Sequence, residues 1–344
     1  MKKSILAFIR EQCQPVPPVM TANLEGKTVL VTGANTGIGF EAAKHFARMK
    51  PGKLIIACRN TAKGSAAVAK IKEETGFDRI EIRTVDLSNF SSVTEFCNTL
   101  QKEEERLDLL VANAGMVTTQ YRTTDDGWET TLQVNVLSTL LYCVLLAPLM
   151  AKTSGITDGS EPRIVIVGSG VHYLASFNRD VLETDNPLKM LNKPEYCTSS
   201  VMEQRYPHSK IIVLFMVRAL AKILKNSAIT VNCVDPGFCI SDIRNEAKGM
   251  QRLLFMAMER YLAWTAEEGS RQLIWASLAN DKDIEVMRGG FICCMSVAEP
   301  SDYVISEDGQ RAEVKFWTNL VEELTNVDPR VAGILKELGR SDEA

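Results

Sequence analysis

The segment Thr32-Gly33-Ala34-Asn35-Thr36-Gly37-Ile38-Gly39 comes straight after the apolar run Thr28–Val31 and leads into a helical pattern over about Gly37–Met49. A parallel strand that ends at its carboxyl edge must reverse into a helix, and glycine supplies the positive φ and the close backbone approach that this needs. The free N–H groups and the dipole of the following helix then point at one place, which suits a doubly negative pyrophosphate. A glycine-rich loop also arises for turn reasons alone. Here the strand before it and the amphipathic spacing after it (Phe40, Ala43, Phe46, Ala47) favour the binding turn.

The rest of the chain repeats the alternation. Strand-like runs are expected at about 28–32, 53–58, 79–85, 108–112, 163–168, 228–234 and 289–294, with helical patterns between them. Near-continuous apolar runs such as Leu54-Ile55-Ile56-Ala57 suit strands buried on both faces. Such alternation predicts an α/β fold with a doubly wound parallel sheet, whose ligands bind beyond the carboxyl ends of the strands.

A second constellation lies far downstream, in Tyr206-Pro207-His208-Ser209-Lys210 at the start of a helical pattern. Tyr206 and Lys210 stand four residues apart, so they share one helix face. A phenol with a pKa of about 10 is a poor acid–base group at neutral pH, and a nearby cation lowers that value. A surface pair has the same spacing, so the pair alone does not decide the matter.

These motifs and those between them stand in the order found in the short-chain dehydrogenase/reductase family, which the chain resembles over about Gly26 to Phe291. They are the glycine-rich turn, Asp86-Leu87 after the third strand, Asn113-Ala114-Gly115 after the fourth and Asn135 inside a long helix. Ser169 follows the fifth strand, then come Tyr206 and Lys210, then Pro236-Gly237 after the sixth. Ala57-Cys58-Arg59-Asn60, Asp126-Gly127-Trp128-Glu129 and Leu132-Gln133-Val134-Asn135-Val136 are similar to retinol-dehydrogenase-like members and, more closely, to fungal enzymes of secondary metabolism. The resemblance implies a Rossmann-type single domain at 26–294 with a substrate lid at about 238–264. An N-terminal extension at 1–25 precedes it and a helical extension at 295–344 follows.

It also implies roles. Gly33, Asn35, Thr36, Gly37, Ile38 and Gly39 would cradle the cofactor pyrophosphate. Asp86 would accept from the adenine amino group beside Leu87, or else cap the helix beginning near Asn89. Asn113, Ala114 and Gly115 would floor the adenine ribose, or simply make strand-end turn chemistry. Ser169 would orient the substrate oxygen, Tyr206 would act as acid or base, and Lys210 would hold the nicotinamide ribose. Asn135 is an amide in an apolar helix and needs a partner; in the relatives it holds a water linked to the lysine. Pro236, Gly237 and Ser241 would lie against the nicotinamide carboxamide. A site built for NAD offers a carboxylate where the second strand ends, but this chain has Cys58 and Arg59 there, with Lys63 nearby. Arginine suits a 2′-phosphate, so NADP(H) is the expected cofactor. His172 and Tyr173 could touch substrate or pack on the loop, and His208 faces another side of its helix as a structural residue.

A formal charge of −4 and a pI near 5.6 argue against a nucleic-acid partner. The longest apolar stretch, Val136–Met150, carries Ser138, Thr139 and Pro148 and reads as too short for an integral membrane segment. The N-terminus reads as a short amphipathic helix, with membrane-surface contact as a minor alternative, followed by a linker marked by Pro15, Pro17 and Pro18. Nine cysteines without a C-x-x-C pair and only three histidines show no metal-ligand cluster, and this usage fits a reducing, cytoplasmic setting. Residues 171–203 are expected to be irregular and polar. The stripe Met250, Leu253, Leu254, Met256, Met258, Tyr261, Trp264 is expected to be core, subunit contact or lid. Helices are expected at about 312–325 and 329–338, and a homodimer or tetramer through the long helices at 125–150 and 204–225.

The combined expectation is an NADP(H)-dependent oxidoreductase that reduces a ketone, or oxidises the alcohol, of an apolar secondary-metabolite-like substrate, with Tyr206 moving the proton. The alternative is a redox-neutral enzyme (cyclase, isomerase or dehydratase) or a binding protein on the same scaffold.

Overall fold

The computed structural model describes residues 4–156, 161–241, 249–279 and 284–340, with the backbone alone for 249–255. Strands β1 (Thr28–Thr32), β2 (Lys53–Cys58), β3 (Ile80–Thr84), β4 (Leu109–Ala112), β5 (Arg163–Val167), β6 (Thr230–Val234) and β7 (Phe291–Cys293) are all parallel. Their order is 3-2-1-4-5-6-7, so strand order reverses between β1 and β4 and opens the binding crevice there. The apolar runs explain the sheet. Every residue of β1, β4 and β6 is buried, as strands covered by helices on both faces require.

The sequence reading missed an eighth strand, β8 (Ser296–Ala298), which pairs antiparallel with β7. The hairpin turns through Cys294 (φ 52°) and Met295 (φ 54°), left-handed positions where glycine or asparagine would normally signal a turn. Met295 donates its N–H to Gln272 Oε1 at 2.7 Å, which helps hold this turn.

One face of the sheet packs on α2 (Gly37–Arg48), α3 (Thr61–Thr75) and α8 (Ala266–Leu278), the last of which follows α7 (Gly249–Leu262) in the chain. The other packs on α4 (Phe90–Glu103), α5 (Ser138–Ser154) and α6 (Arg205–Ile223). The two C-terminal helices form where expected, α9 over Glu307–Val327 beginning five residues earlier than the sequence suggests and α10 over Arg330–Leu338 matching it. They cover the faces expected to pair with a second copy. Phe316 of α9 stacks on Phe215 of α6 at 6.2 Å, and Glu313 is paired at 2.6 Å with Arg218. Val331, Leu335 and Leu338 of α10 are buried in the core cluster that contains α5.

Residues 171–203 carry short helices at Arg179–Glu183, Pro187–Asn192 and Ser199–Glu203, anchored by buried Val181, Leu188 and Leu191. The segment Thr130–Ser154 is the one described helix long and apolar enough to cross a membrane; 83% of its apolar window is buried inside the protein. The expected N-terminal helix is α1 (Ile5–Gln12), capped by Ser4, but the extension is more than a linker: the last residue of this helix, Gln12, is buried.

Candidate active site

The glycine turn is locked from below by Asn113. Its Nδ2 donates to the carbonyls of Thr32 at 2.9 Å and Gly33 at 3.2 Å, and the N–H groups of Asn113 and Ala114 both donate to Thr32 Oγ1 at 3.1 Å. The turn needs its glycines for two different reasons. Gly33 (φ 67°) and Gly37 (φ 62°) are left-handed, and the space where a Cβ on Gly37 would sit is open, as a backbone cradle for a ligand requires. Gly39 has ordinary φ, but a Cβ there would lie 2.4 Å from Asn113 Nδ2 and 2.6 Å from Gly33 O. Gly39→Ala should therefore destabilise the fold by about 1–3 kcal/mol through overpacking, read as a lower urea midpoint at unchanged m-value. No change in midpoint would show that the turn relaxes freely.

At the end of β2, Arg59 and Lys63 are both exposed, and Asn60 caps α3 by accepting from the Lys63 N–H at 2.9 Å. The cap alternative for Asp86 is not what forms. Asn89 caps α4, while Asp86 Oδ1 accepts from the N–H and Oγ–H of Ser88 at 2.9 and 2.7 Å. That leaves Asp86 Oδ2 without a hydrogen bond among the described residues. Leu87 is buried, its carbonyl accepting from Ser138 Oγ at 2.6 Å.

Tyr206 enters in the first turn of α6 with Lys210 one turn on, its Nζ 5.5 Å from the centre of the tyrosine ring. Lys210 is buried, and Nζ donates to the carbonyl of Val167 at 2.7 Å, two residues before Ser169 at the end of β5. Burial pulls the ammonium down from its usual 10.5 to about 8, while Cys233 and Asp235 act the other way. The stability consequence follows from the sign. Below pH 8 folded and unfolded chains both hold the proton and the burial penalty is in full force. Between about 8 and 10.5 the unfolded chain holds more protons, so stability rises with pH. Wild type should gain on the order of 3 kcal/mol over Lys210→Met between pH 7 and pH 10.5, measured by urea unfolding. An unchanged difference would mean that Lys210 is not desolvated.

Asn135 sits in a single π-helical turn, Gln133–Leu137, the kind of irregularity that often marks functional sites. Its amide is fully used. Oδ1 accepts from the Met116 N–H at 2.9 Å, and Nδ2 donates to the Met116 carbonyl at 2.9 Å and to Ser209 Oγ at 3.2 Å. Ser209 Oγ in turn donates to the Tyr206 carbonyl at 2.8 Å, so the side chain ties the Gly115 loop to the Tyr206 helix. Ser169 Oγ accepts a 3.3 Å bond from the Val171 N–H, so it does cap a short 3₁₀ turn while remaining partly exposed. His172 packs rather than reaching outward. Its Nε2 accepts from the Ser301 N–H at 3.2 Å, so Nδ1 carries the proton that goes to the Ser169 carbonyl at 2.9 Å. His208 is structural: buried, stacked on Phe177 at 4.9 Å, and lowered to about 4 chiefly by desolvation.

The loop after β6 is held by residues that sequence reasoning missed. Gly237 (φ 80°) has the Trp264 ring against it, where a Cβ would come within 2.5 Å. Gln12 clamps both flanks. Its Nε2 donates to the carbonyls of Phe238 and Leu262, each at 3.0 Å, and its Oε1 accepts from the Phe238 N–H at 3.1 Å. The Gln12 carbonyl accepts from Trp264 Nε1 at 3.0 Å. Buried Asp235 accepts from the Gly237 N–H at 3.1 Å and faces Lys210 electrostatically. Ser241 is partly exposed at the end of the described loop. Of the Met and aromatic stripe, the side chains of Met250, Leu253 and Leu254 lie outside the described residues. Met256 and Tyr261 are 54% and 81% exposed, so they are not core, whereas Trp264 is.

A buried ion pair sits beside the tyrosine. Arg205 Nε lies 3.4 Å from Glu129 Oε2, both side chains being fully buried. Arg205 also donates to the Leu191 carbonyl at 2.6 Å, and the two Glu129 oxygens accept from the N–H groups of Thr131 and Leu132. Only the Asp126–Glu129 motif could have hinted at it.

Residues 27–178 match the model of a family described as short chain dehydrogenase. The chain is 33% identical to the short-chain dehydrogenase anuD of Penicillium roqueforti, over 96% of this chain and 86% of that one. It is 37% identical to the short chain dehydrogenase atnD of Emericella nidulans, over 77% of this chain and 83% of that one. Among solved structures it is similar to a short chain dehydrogenase from Burkholderia cenocepacia in complex with NADP. That likeness has a TM-score of 0.58 at 24% identity and covers 78% of this chain and 96% of that one.

Proposed function

This chain belongs to the short-chain dehydrogenase/reductase family of oxidoreductases, and on that premise we propose that it is an NADP(H)-dependent reductase of an apolar ketone, with Tyr206 as the proton donor. The observation that carries the reading is the Tyr206–Lys210 pair, seated with a buried, desolvated ammonium over the carboxyl end of β5.

The residues present fit the dinucleotide. The open left-handed Gly37 at the start of α2 leaves room for a pyrophosphate, with Asn35, Thr36, Ile38 and the turn's N–H groups around it. Asp86 has an oxygen to spare for the adenine amino group, beside Leu87, and the Asn113–Gly115 backbone would floor the ribose. Arg59 and Lys63 would meet a 2′-phosphate. Pro236, Gly237 and Ser241 would border the carboxamide. When bound, NADPH supplies the hydride that ends on the carbonyl carbon.

The chain's own residues do the rest. Ser169 Oγ–H orients the ketone oxygen, and Tyr206 Oη delivers a proton to it as the C=O bond opens to C–O–H. The Lys210 charge favours the phenolate left behind, and the proton is replaced from solvent. Ile240, Met256 and Tyr261, exposed in the segment after β6, would offer apolar surface to the substrate.

Arg59→Asp tests the cofactor part. NADPH affinity, followed by nucleotide fluorescence, should fall about 10- to 100-fold while NADH affinity holds or improves. NADH binding more tightly than NADPH in the wild type would remove Arg59 from the account.

A further inference from the structure

The carboxyl end of β7 brings two adjacent thiols against a carboxylate from the far end of the sequence. Sγ of Cys293, Sγ of Cys294 and a carboxylate oxygen of Glu11 in α1 all lie within 4.8 Å of one another. Cys293 is buried, while Glu11 and Cys294 are half-buried, so the cluster can be reached. The two sulfurs are 3.7 Å apart. Two thiolates on one tetrahedral zinc, each at about 2.3 Å, stand about 3.8 Å apart, so this separation needs almost no adjustment. An oxygen of Asp235 lies 3.9 Å from Cys293 Sγ, and the fourth tetrahedral position is left for water. The Cys294–Met295 turn that aims the thiols is held by Gln272 and by the bond from Ser296 Oγ to the Cys293 carbonyl at 2.9 Å.

We propose that Glu11, Cys293 and Cys294 bind one thiophilic divalent cation of the zinc class, tying α1 to the β7–β8 turn. Two soft sulfur donors with one carboxylate select such an ion over magnesium or calcium. Binding forms two metal–sulfur bonds and one metal–oxygen bond and releases the two thiol protons to solvent. The consequence reaches the active-site edge, because Gln12, next to Glu11, clamps Phe238 and Trp264. A filled site therefore stabilises the docked α1 and the Gly237 loop together.

The test uses the full chain, reduced, stripped with a chelator and titrated with Cd²⁺ and then Zn²⁺. The expected result is one equivalent per chain with a thiolate-to-cadmium ultraviolet band, and a Zn²⁺-dependent rise in melting temperature. Cys294→Ser should lose the band and at least about tenfold in affinity. Glu11→Gln, a partly exposed change that leaves both thiols in place, should keep the band but lose the Zn²⁺ protection of α1 against proteolysis. Cys13→Ser, an exposed thiol outside the cluster, should behave as wild type. Equal binding by Cys294→Ser, loss of the band in Cys13→Ser, or no binding at micromolar metal would overturn the proposal. So would a Cys293–Cys294 disulfide that forms in air despite excess Zn²⁺, which would make the pair a redox element instead.

Discussion

Tyr206→Phe should lower kcat for ketone reduction by about 10²–10⁴-fold and leave NADPH affinity within a fewfold of wild type. The substitution removes one oxygen and keeps the ring, so the ring's place beside Lys210 survives. Lys210 keeps its bond to the Val167 carbonyl, because that bond does not involve the phenol. What is lost is the group proposed to give the ketone oxygen its proton. Steady-state turnover with equal melting temperatures for the two proteins separates this from misfolding. A rate within tenfold of wild type would move the proton donor elsewhere, with His172 and His208 poor candidates because both are buried and hydrogen-bonded.

Glu129→Gln should destabilise the protein by about 3–5 kcal/mol. The neutral amide leaves Arg205 as a fully buried charge without its counter-ion. It also turns an NH₂ group toward one of the N–H donors of Thr131 and Leu132, which now both meet carboxylate oxygens. The double change Glu129→Gln with Arg205→Met should recover much of the loss, since removing both members of a buried pair costs far less than removing one. Because Arg205 directly precedes Tyr206, the single variant should also lose turnover more steeply than its melting temperature alone explains. Urea unfolding of the three proteins checks the first claim; a single variant within about 1 kcal/mol of wild type would show that the pair carries little.

The parts of this site that the sequence made readable are those whose chemistry is local. A strand, a glycine turn and a helix declare themselves within a dozen residues, because the turn's left-handed positions admit few residue types. Helix spacing put Tyr206 and Lys210 on one face, but it was the order of the motifs around them that singled the pair out. The unread parts come from long-range packing. Gln12 looked like part of a proline-marked linker, and nothing near it says that its amide will fit between Phe238 and Leu262, more than 200 residues away. The β7–β8 turn was hidden because Cys294 and Met295 are poor turn residues that tertiary contacts hold in place. The self-covering of α5 and α6 was hidden for a related reason: an apolar helix face does not say whether its partner is another copy or the chain's own α9 and α10.

The most direct measurement follows a deuterium. The protein is given NADPH labelled at C4 and a panel of apolar ketones, and products are read by mass spectrometry. The account predicts an alcohol carrying the deuterium on its carbinol carbon, formed by wild type and lost in Tyr206→Phe. A product isomeric with its substrate, or one formed equally well without the nucleotide, would contradict it and favour redox-neutral chemistry on the same scaffold.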